Sequence, residues 1–544
     1  MSENDTQKQS TLESKPALKQ LIYAGDMFYS AKNYPAAITV YQTAEILSKD
    51  IDIDLLEKLY LKLGNSYYEL NEIQNKGNQF IDQAAYYYEQ YLKCFPDESL
   101  TEEVWWRLGY AYYFMNVDKG IDCFNKALNI AIVGTASINK LFSMIKSDSY
   151  DQQDIKEESE FEAEIIKNKL YNNPVKYNHE NKKVQKNRKL NIGYLSSDCR
   201  AHVMMNYIIP IWKHHNRDEF NVFIFSTTFE EDSTTNEIKD IGLTYVKCPH
   251  SVKDTAKEIY DRNIDILIDI TGYTDIMAYC ALYKPAPIII SYLGYLNTLG
   301  MKEVDYILSD KYIIPEDKAY LYTEKPLYID KYHIFEKLEL PNVKECPYKE
   351  NGYITFGSFN CPSKINSTML YIWSEILKNV DNSKLLIFRT DINETLINHF
   401  KLMFEALGIS EDRVIYDNKT NGNFFNVYSR ADIALDTYPF NGMTILTQLA
   451  IAGVPSITLL GEGMQSRTAS RTNELIGNKD LVANNIEEYI EIAKNLANNK
   501  ERLNYLRHNL RQDVYNSELM VEPEVFTKDL EIKFKEIWQT FINT

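Results

Sequence analysis

The pattern of apolar and polar positions divides this chain into two textures. Up to about residue 145, apolar residues recur every three or four positions, as on one face of a helix. From Leu190 onward they gather into short runs that are apolar on both sides, with amphipathic stretches between them. The first texture predicts packed helices. The second predicts buried parallel strands covered by helices on both faces.

The helical part repeats. One segment carries Ala24-Gly25, Phe28, Ala37, Tyr41 and Ala44. A second carries Leu63-Gly64, Tyr67, Ala84, Tyr88, Tyr91 and Pro96. A third carries Leu108-Gly109, Tyr112, Gly120, Phe124 and Ala127. Small residues recur where two antiparallel helices must approach closely, and aromatic rings fill the space beside them. This is the tetratricopeptide pattern of two helices in ~34 residues. The second copy has an insertion around Asn71–Gln79, and the third is slightly short. Such units stack into a short solenoid with a concave face. The crowded tyrosines (Tyr67, Tyr68, Tyr86, Tyr87, Tyr88, Tyr91, Tyr110, Tyr112, Tyr113) are expected mainly as packing between helices, with some lining a groove for a protein partner. Residues 146–188 are dense in charge and read as a surface helix with a linker.

The predicted strands form two sets. The first holds LNIGYLSS (Leu190 to Ser197), FNVFIF (Phe220 to Phe225), IDILIDI (Ile264 to Ile270) and PIIISY (Pro287 to Tyr292). The second holds YITFGSF (Tyr353 to Phe359), KLLIFR (Lys384 to Arg389), RVIY (Arg413 to Tyr416), DIAL (Asp432 to Leu435) and VPSITLL (Val454 to Leu460). Met369, Ile372, Trp373, Ile376 and Leu377 form a helical stripe after the first strand of the second set. The fold class expected is α/β with an all-α N-terminal part: helical repeats, then two Rossmann-like halves facing across a cleft. The expected division is a repeat domain at 15–145, a charged linker at 146–188, lobes at 189–345 and 346–522, and a terminal helix at 523–544.

Composition narrows the function classes. With 59 basic and 77 acidic residues the net charge is −18, which argues against a general binder of nucleic acid or anionic membrane. The cysteines (Cys94, Cys123, Cys199, Cys248, Cys280, Cys346, Cys361) contain no CxxC and point to a reducing compartment. MSENDTQKQS lacks the order of a signal peptide, and no apolar run approaches the ~20 residues of a spanning helix. A cytoplasmic location without membrane partners is expected. HExxH, GxSxG and Walker sequences are missing, so no metal or bound cofactor is expected.

Polar, glycine-bearing loops follow the predicted strands. In DIALDTYPFNGMTILTQ (Asp432 to Gln448), a strand ends at Leu435 and a helix opens near Thr444. The first amides of a helix lack internal partners and carry partial positive charge, so this turn suits an anion such as a diphosphate. An ordinary turn capped by Asn441 is the plain alternative. FNCPSKIN (Phe359 to Asn366) places Lys364 at the same edge, where an ammonium would neutralise charge on a departing diphosphate. GEGMQSRTASR (Gly461 to Arg471) follows the last predicted strand. In the first set, SSDCRAH ends at His202, while TGYTD (Thr271 to Asp275), KPAP (Lys284 to Pro287) and YLGYLNT (Tyr292 to Thr298) follow later strands.

Taken in order, GYLSSD ahead of His202, ITGYT, KPAPI with YLGYLNT, VDYILSD, TFGSFN ahead of Lys364, DIALDT and the GE and SR pairs resemble the O-linked N-acetylglucosamine transferases and their SPINDLY-type protein fucosyltransferase relatives. The resemblance covers nearly the whole chain. It implies a two-Rossmann glycosyltransferase that needs no metal. His202 falls on the family's cleft histidine and Lys364 on its diphosphate lysine. Asn441, Gly442, Met443, Thr444 and Ile445 fall on the phosphate-binding helix start, and Leu293, Gly294 and Tyr295 on the loop beside the donor sugar. Phe424 stands where a base-stacking histidine is usual, Met443 where a histidine is usual, and Gln448 where one branch carries a ribose-holding acid. Cys361 replaces a polar amide. Asp265 stands in place of a second cleft histidine, which leans toward the fucosyltransferase branch.

The expectation is an inverting protein O-glycosyltransferase acting on Ser or Thr of a protein held partly by the repeats, with UDP-GlcNAc the favoured donor. GDP-fucose and UDP-glucose remain open as donors. So does a repeat-based scaffold whose transferase half has decayed.

Overall fold

In this computed structural model the described residues are 3–48, 53–74, 79–94, 101–182, 188–335, 342–420 and 422–544. Pro96 and part of the insertion around Asn71–Gln79 lie outside them. Helices α1 (Glu3–Ser30), α2 (Tyr34–Ser48), α3 (Ile53–Gln74), α4 (Ile81–Cys94), α5 (Glu102–Met115) and α6 (Val117–Ile130) form the three repeat pairs. The repeat glycines explain the close packing. A Cβ on Gly25 would lie 2.3 Å from the Tyr41 ring, one on Gly64 2.8 Å from Tyr88, and one on Gly109 2.7 Å from Phe124. Each pair closes because a ring occupies the space a side chain would take.

Helices α7 (Gly134–Met144) and α8 (Gln152–Ile165) carry the helical layer onto the next part. The charge-dense stretch beginning at 146 is packed more deeply than its composition suggests. Ile155, Ser159, Glu162 and Ala163 are buried, and Ile155 and Ala163 join one apolar cluster with Leu267, Tyr273 and Met301. Lys140 ties the layer together by pairing with Glu158 and, at 2.9 Å, with Glu162.

The first sheet comprises β1 (Leu190–Ser196), β2 (Phe220–Ser226), β3 (Thr244–Lys247), β4 (Ile266–Asp269), β5 (Ile288–Ser291), β6 (Tyr306–Ser309) and β7 (Lys325–Tyr328). Its order is β3-β2-β1-β4-β5-β6-β7, with every pair parallel. The second comprises β8 (Ile354–Ser358), β9 (Ser383–Phe388), β10 (Val414–Asp417), β11 (Ile433–Leu435), β12 (Ser456–Leu459) and β13 (Val482–Ala483). Its order is β10-β9-β8-β11-β12-β13, again parallel. Strands β3, β6, β7 and β13 fall outside the apolar runs read from the sequence. β3 and β7 have one fully buried residue each, and β13 has two residues in all. Strand order reverses between β1 and β4 in one sheet and between β8 and β11 in the other. Ligands of such sheets bind beyond the strand carboxyl ends at these reversals.

The last helix, Pro523–Asn543, returns to the first lobe. Phe526, Leu530, Phe534, Ile537 and Trp538 enter the core under β1 and β2, and His215 Nδ1 lies 2.8 Å from Glu531 Oε1. Between the lobes, Asn297 Nδ2 donates to Gln465 Oε1 at 3.0 Å and to Gln152 Oε1 of α8 at 3.0 Å.

Candidate functional site

The loops after β8 and β11 meet at the reversal point of the second sheet. β11 ends at Leu435, and a helix runs Met443–Ile451, starting one residue before the expected Thr444. It has no side-chain cap. Asn441 does not cap it. Its Nδ2 turns back to the Thr437 carbonyl at 2.9 Å, and its Oδ1 is buried without a partner. The helix start therefore keeps the electropositive character that a bound anion would use. Gly442 is required for packing: its φ is −100°, and a Cβ there would lie 2.3 Å from Asn360 Oδ1.

Beneath this turn sits Asp436. Its Oδ1 accepts from the Gly442 amide at 2.9 Å and from Asn360 Nδ2 at 3.0 Å. Burial raises its pKa to about 6, with Lys364 opposing. Asp436 Oδ2 and Asn360 Oδ1 are both buried without partners. Neither residue was singled out as a site residue from the sequence, although Asp436 directly follows β11 and Asn360 lies two residues past β8, which is the signal that marks them.

Lys364 ends a short 3-10 turn, Pro362–Lys364. Its Nζ donates to the Asn441 carbonyl at 2.7 Å and lies 3.9 Å from the centre of the Phe440 ring. Burial lowers its pKa to about 8, with Asp436 and Cys361 opposing. The structure thus joins Lys364 to the 441–444 turn, as the sequence reading expects. Further along this lobe, side chains gather around Tyr428. Its hydroxyl donates to Gln448 Oε1 at 2.9 Å, and its ring is 6.3 Å from that of Phe424, which is exposed. Ile445 packs against the neighbouring apolar cluster with Phe359 and Leu449, whereas Met443 leans on the first lobe's core.

The first lobe supplies the opposite wall. His202 stands in the loop after β1, half-exposed, with Nδ1 3.6 Å from Asp198 Oδ2. Burial lowers its pKa, and Asp198 opposes that shift. Tyr207 crosses between lobes: its hydroxyl is 2.6 Å from Thr444 Oγ1. In the loop after β5, Leu293 has φ +69°, and a Cβ on Gly294 would lie 2.2 Å from the Ile270 carbonyl. The side chains of Leu293 and Tyr295 are buried, with the Tyr295 ring 5.7 Å from Phe142. What this loop can offer a ligand is backbone held in a strained shape. The glycine loop after β12 joins lobes. Arg467 Nε donates to the Tyr312 carbonyl at 2.8 Å, and Arg471 Nε to Asp310 Oδ2 at 2.8 Å.

Asp265 requires correction. It is wholly buried at the amino end of β4, the edge opposite the cleft. There it binds Lys182 at 3.2 Å, the Arg188 guanidinium and the Asn191 amide. It anchors the entry to the sheet and replaces no cleft residue.

Two parallel sheets, with their polar loops at both reversal points, define a two-lobed frame. A model of glycosyl transferase family 41 matches residues 153–339 and 346–530, more than half of the sequence. The chain belongs to glycosyl transferase family 41. Its match opens inside α8, consistent with that helix packing as part of the first lobe. Among curated relatives of this family 41 chain, the probable UDP-N-acetylglucosamine–peptide N-acetylglucosaminyltransferase SPINDLY of Solanum lycopersicum is 29% identical over 395 residues. The match covers 69% of this chain and 41% of that protein. The similarly named SEC of Arabidopsis thaliana is 29% identical over 371 residues, covering 64% and 37%. The chain spans about two-fifths of the length of these relatives. A solved lysine-to-methionine mutant of the Thermobaculum terrenum O-GlcNAc transferase superposes with a TM-score of 0.80 at 22% identity. It covers 97% of this chain and 99% of its own. That likeness extends the shared fold through the repeats.

Proposed function

We propose that this chain is an inverting, metal-independent protein O-glycosyltransferase that moves a sugar from a nucleotide sugar to a Ser or Thr hydroxyl. One observation carries the reading. The Lys364 amine sits 2.7 Å from the carbonyl of Asn441, just ahead of a helix start without a side-chain cap. An ammonium and helix-end amides at one edge stabilise the charge that develops on a departing diphosphate. Nothing in that arrangement calls for a metal.

The acceptor oxygen attacks the anomeric carbon from the face opposite the diphosphate. A new C–O bond forms while the bond to the diphosphate breaks, its electron pair leaving on the phosphate oxygen. The hydroxyl proton passes to His202, whose pKa is lowered by burial, with Asp198 opposing. The relatives from tomato and Arabidopsis are named for UDP-N-acetylglucosamine, and that donor is favoured here. GDP-fucose and UDP-glucose are the alternatives; Gln448, engaged by Tyr428, offers the ribose of any of these donors no carboxylate. The repeats abut the Lys364 turn, so an acceptor held along them is delivered to the cleft.

A panel of nucleotide sugars, each incubated with the protein, tests the donor by release of its nucleotide. Lys364→Ala is expected to lower turnover by ~10²-fold or more, the size seen for lost transition-state donors. Full activity in that variant would overturn the reading. UDP or GDP at roughly 100 times its Kd should stabilise the fold by ~2.7 kcal/mol. No thermal shift with either leaves the repeat-based scaffold as the remaining account.

A further inference from the structure

The loop after β2 inverts the usual pattern of burial. Thr227 and Thr228 are 3% and 1% exposed, yet the next residue, Phe229, is 76% exposed. Two polar side chains go inside and a large apolar one goes out, the reverse of what folding alone favours. Among the described residues no other Phe, Tyr or Trp is as exposed. The buried polar groups fix the backbone. Thr228 Oγ1 donates to the Ser197 carbonyl at 2.9 Å and accepts from the Cys199 amide at 2.8 Å. Asp232 Oδ2 accepts from the Ala201 amide at 2.7 Å. The loop is thus pinned on both sides of Phe229 to the loop after β1, which carries His202. A second ring backs the first. His250, in the loop after β3, has its ring centre 4.3 Å from that of Phe229. Its Nε2 lies 3.7 Å from Asp275 Oδ1, in the loop after β4, and its Nδ1 is buried with no partner. Phe229 therefore stands on the strand-end rim that holds His202, supported on one side and otherwise open to solvent.

We propose that Phe229 and His250 form a docking shelf for the acceptor: it takes an aromatic or large aliphatic residue close to the modified Ser or Thr, in a segment that also carries Lys or Arg. The inference rests on the protein-transferase reading above and adds the acceptor chemistry that this reading leaves open. Place and charge argue for this occupant. The donor reading uses the loops of the second lobe, which leaves this rim to the acceptor. At ~3.3 Å per extended residue, an acceptor chain passes from one strand-end loop to its neighbour in about three or four residues. A ring held on a rigid frame costs little to order when a partner covers it, and such rings anchor interfaces. The charge around the ring is acidic. Asp198, Glu230 and Asp275 follow β1, β2 and β4 on this edge. The nearby cations are already engaged: Arg200 lies 3.7 Å from Asp198 Oδ1, and Lys239 and Lys247 lie 2.6 and 3.7 Å from Glu231. Glu230, exposed beside Phe229, pairs with no cation among the described residues. A segment bearing Lys or Arg meets complementary charge here, whereas an acidic one is repelled.

The test uses the full chain, the nucleotide sugar that the donor panel identifies, and a library of short peptides with one central Ser or Thr and randomised flanks. Modified peptides are sequenced by mass spectrometry. The wild type should enrich Phe, Tyr, Trp or Leu within about four residues of the modified hydroxyl, with Lys or Arg nearby. Phe229→Ala should abolish the apolar enrichment and lower kcat/KM for an enriched peptide by ~10-fold, with the loss in KM and kcat kept. Phe229→Tyr keeps a ring and should keep the preference. Glu230→Lys should remove the preference for basic residues, and an unchanged preference overturns the part assigned to charge. The thermal shift produced by UDP or GDP should be the same in every variant, which also shows that each one folds. Equal enrichment in the wild type and Phe229→Ala, or none in either, overturns the inference. So does release of nucleotide without transfer to any peptide of the library. A change in sedimentation of Phe229→Ala with peptide selection intact assigns the face to a second copy of the chain and overturns it too. If the wild type neither releases nucleotide from any donor nor shifts with UDP or GDP, the transferase reading itself fails, and this inference with it.

Discussion

At the scale of single residues, the sequence places Lys364 and the 441–444 turn at one edge of the second sheet but does not show what holds them. Lys364 follows a strand and precedes a helix, so its edge was legible. Its hydrogen bond to Asn441, 77 positions away, was not. Gly442 invites a reading as a close-approach glycine, yet the atom it avoids is Asn360 Oδ1. Buried carboxyls add a pH dependence that no motif predicts. Glu324 accepts from Thr298 Oγ1 at 2.6 Å and from the Leu299 amide at 2.7 Å, and burial raises its pKa to about 7. Its folded-state pKa lies above the unfolded value of 4.5, so the folded state binds more protons over that interval. The stability it contributes is full at lower pH and is lost as pH rises toward 7. Glu324→Gln should flatten the slope of unfolding free energy between pH 4.5 and 7, measured by urea denaturation. An unchanged slope would assign the dependence to Asp269 and Asp436, whose pKa values burial also raises to about 6.

At the scale of elements, the repeat helices and nine strands were readable because their signals are local. Glycine opposite an aromatic ring in each helical pair, and apolar runs without a polar face, need no knowledge of the rest of the chain. Edge strands β3 and β7 escape because each buries a single residue, Val246 or Leu327, and exposed Thr244, Lys247 and Lys325 break the apolar run. Helix α8 reads as surface from its charges, yet Glu162 is buried because Lys140 reaches it from α7. The last helix is similar: its apolar stripe does not say which lobe it covers. Glu531 is its anchor, accepting from the Asn216 amide at 2.8 Å and pairing with His215. Glu531→Ala leaves that amide and a buried imidazole without their acceptor. The expected loss is ~1–3 kcal/mol in denaturant unfolding. A loss below the error of the measurement would show that the apolar stripe alone docks the helix.

At the scale of the whole molecule, function depends on the lobes meeting. The Tyr207 hydroxyl holds Thr444 Oγ1 at 2.6 Å, so the first lobe occupies a group that the helix start would otherwise offer to an anion. Tyr207→Phe frees that hydroxyl. Nucleotide diphosphate affinity should rise by ~2–10-fold, the worth of one hydrogen bond, with calorimetry as the readout. Weaker binding would mean that the crossing bond orients Thr444 for the ligand. The sequence by itself determined the tetratricopeptide pairs, the two parallel sheets and the polar loops at their carboxyl ends, because periodicity and backbone freedom act over a few neighbouring residues. Only the tertiary structure decided that Asp265 anchors the far edge of its sheet, that Asn360 and Asp436 underlie the 441–444 turn, and that Lys146 is buried against the Lys364 turn. Those placements join residues tens to hundreds of positions apart. They follow from how whole helices and sheets pack, which no short stretch of sequence encodes.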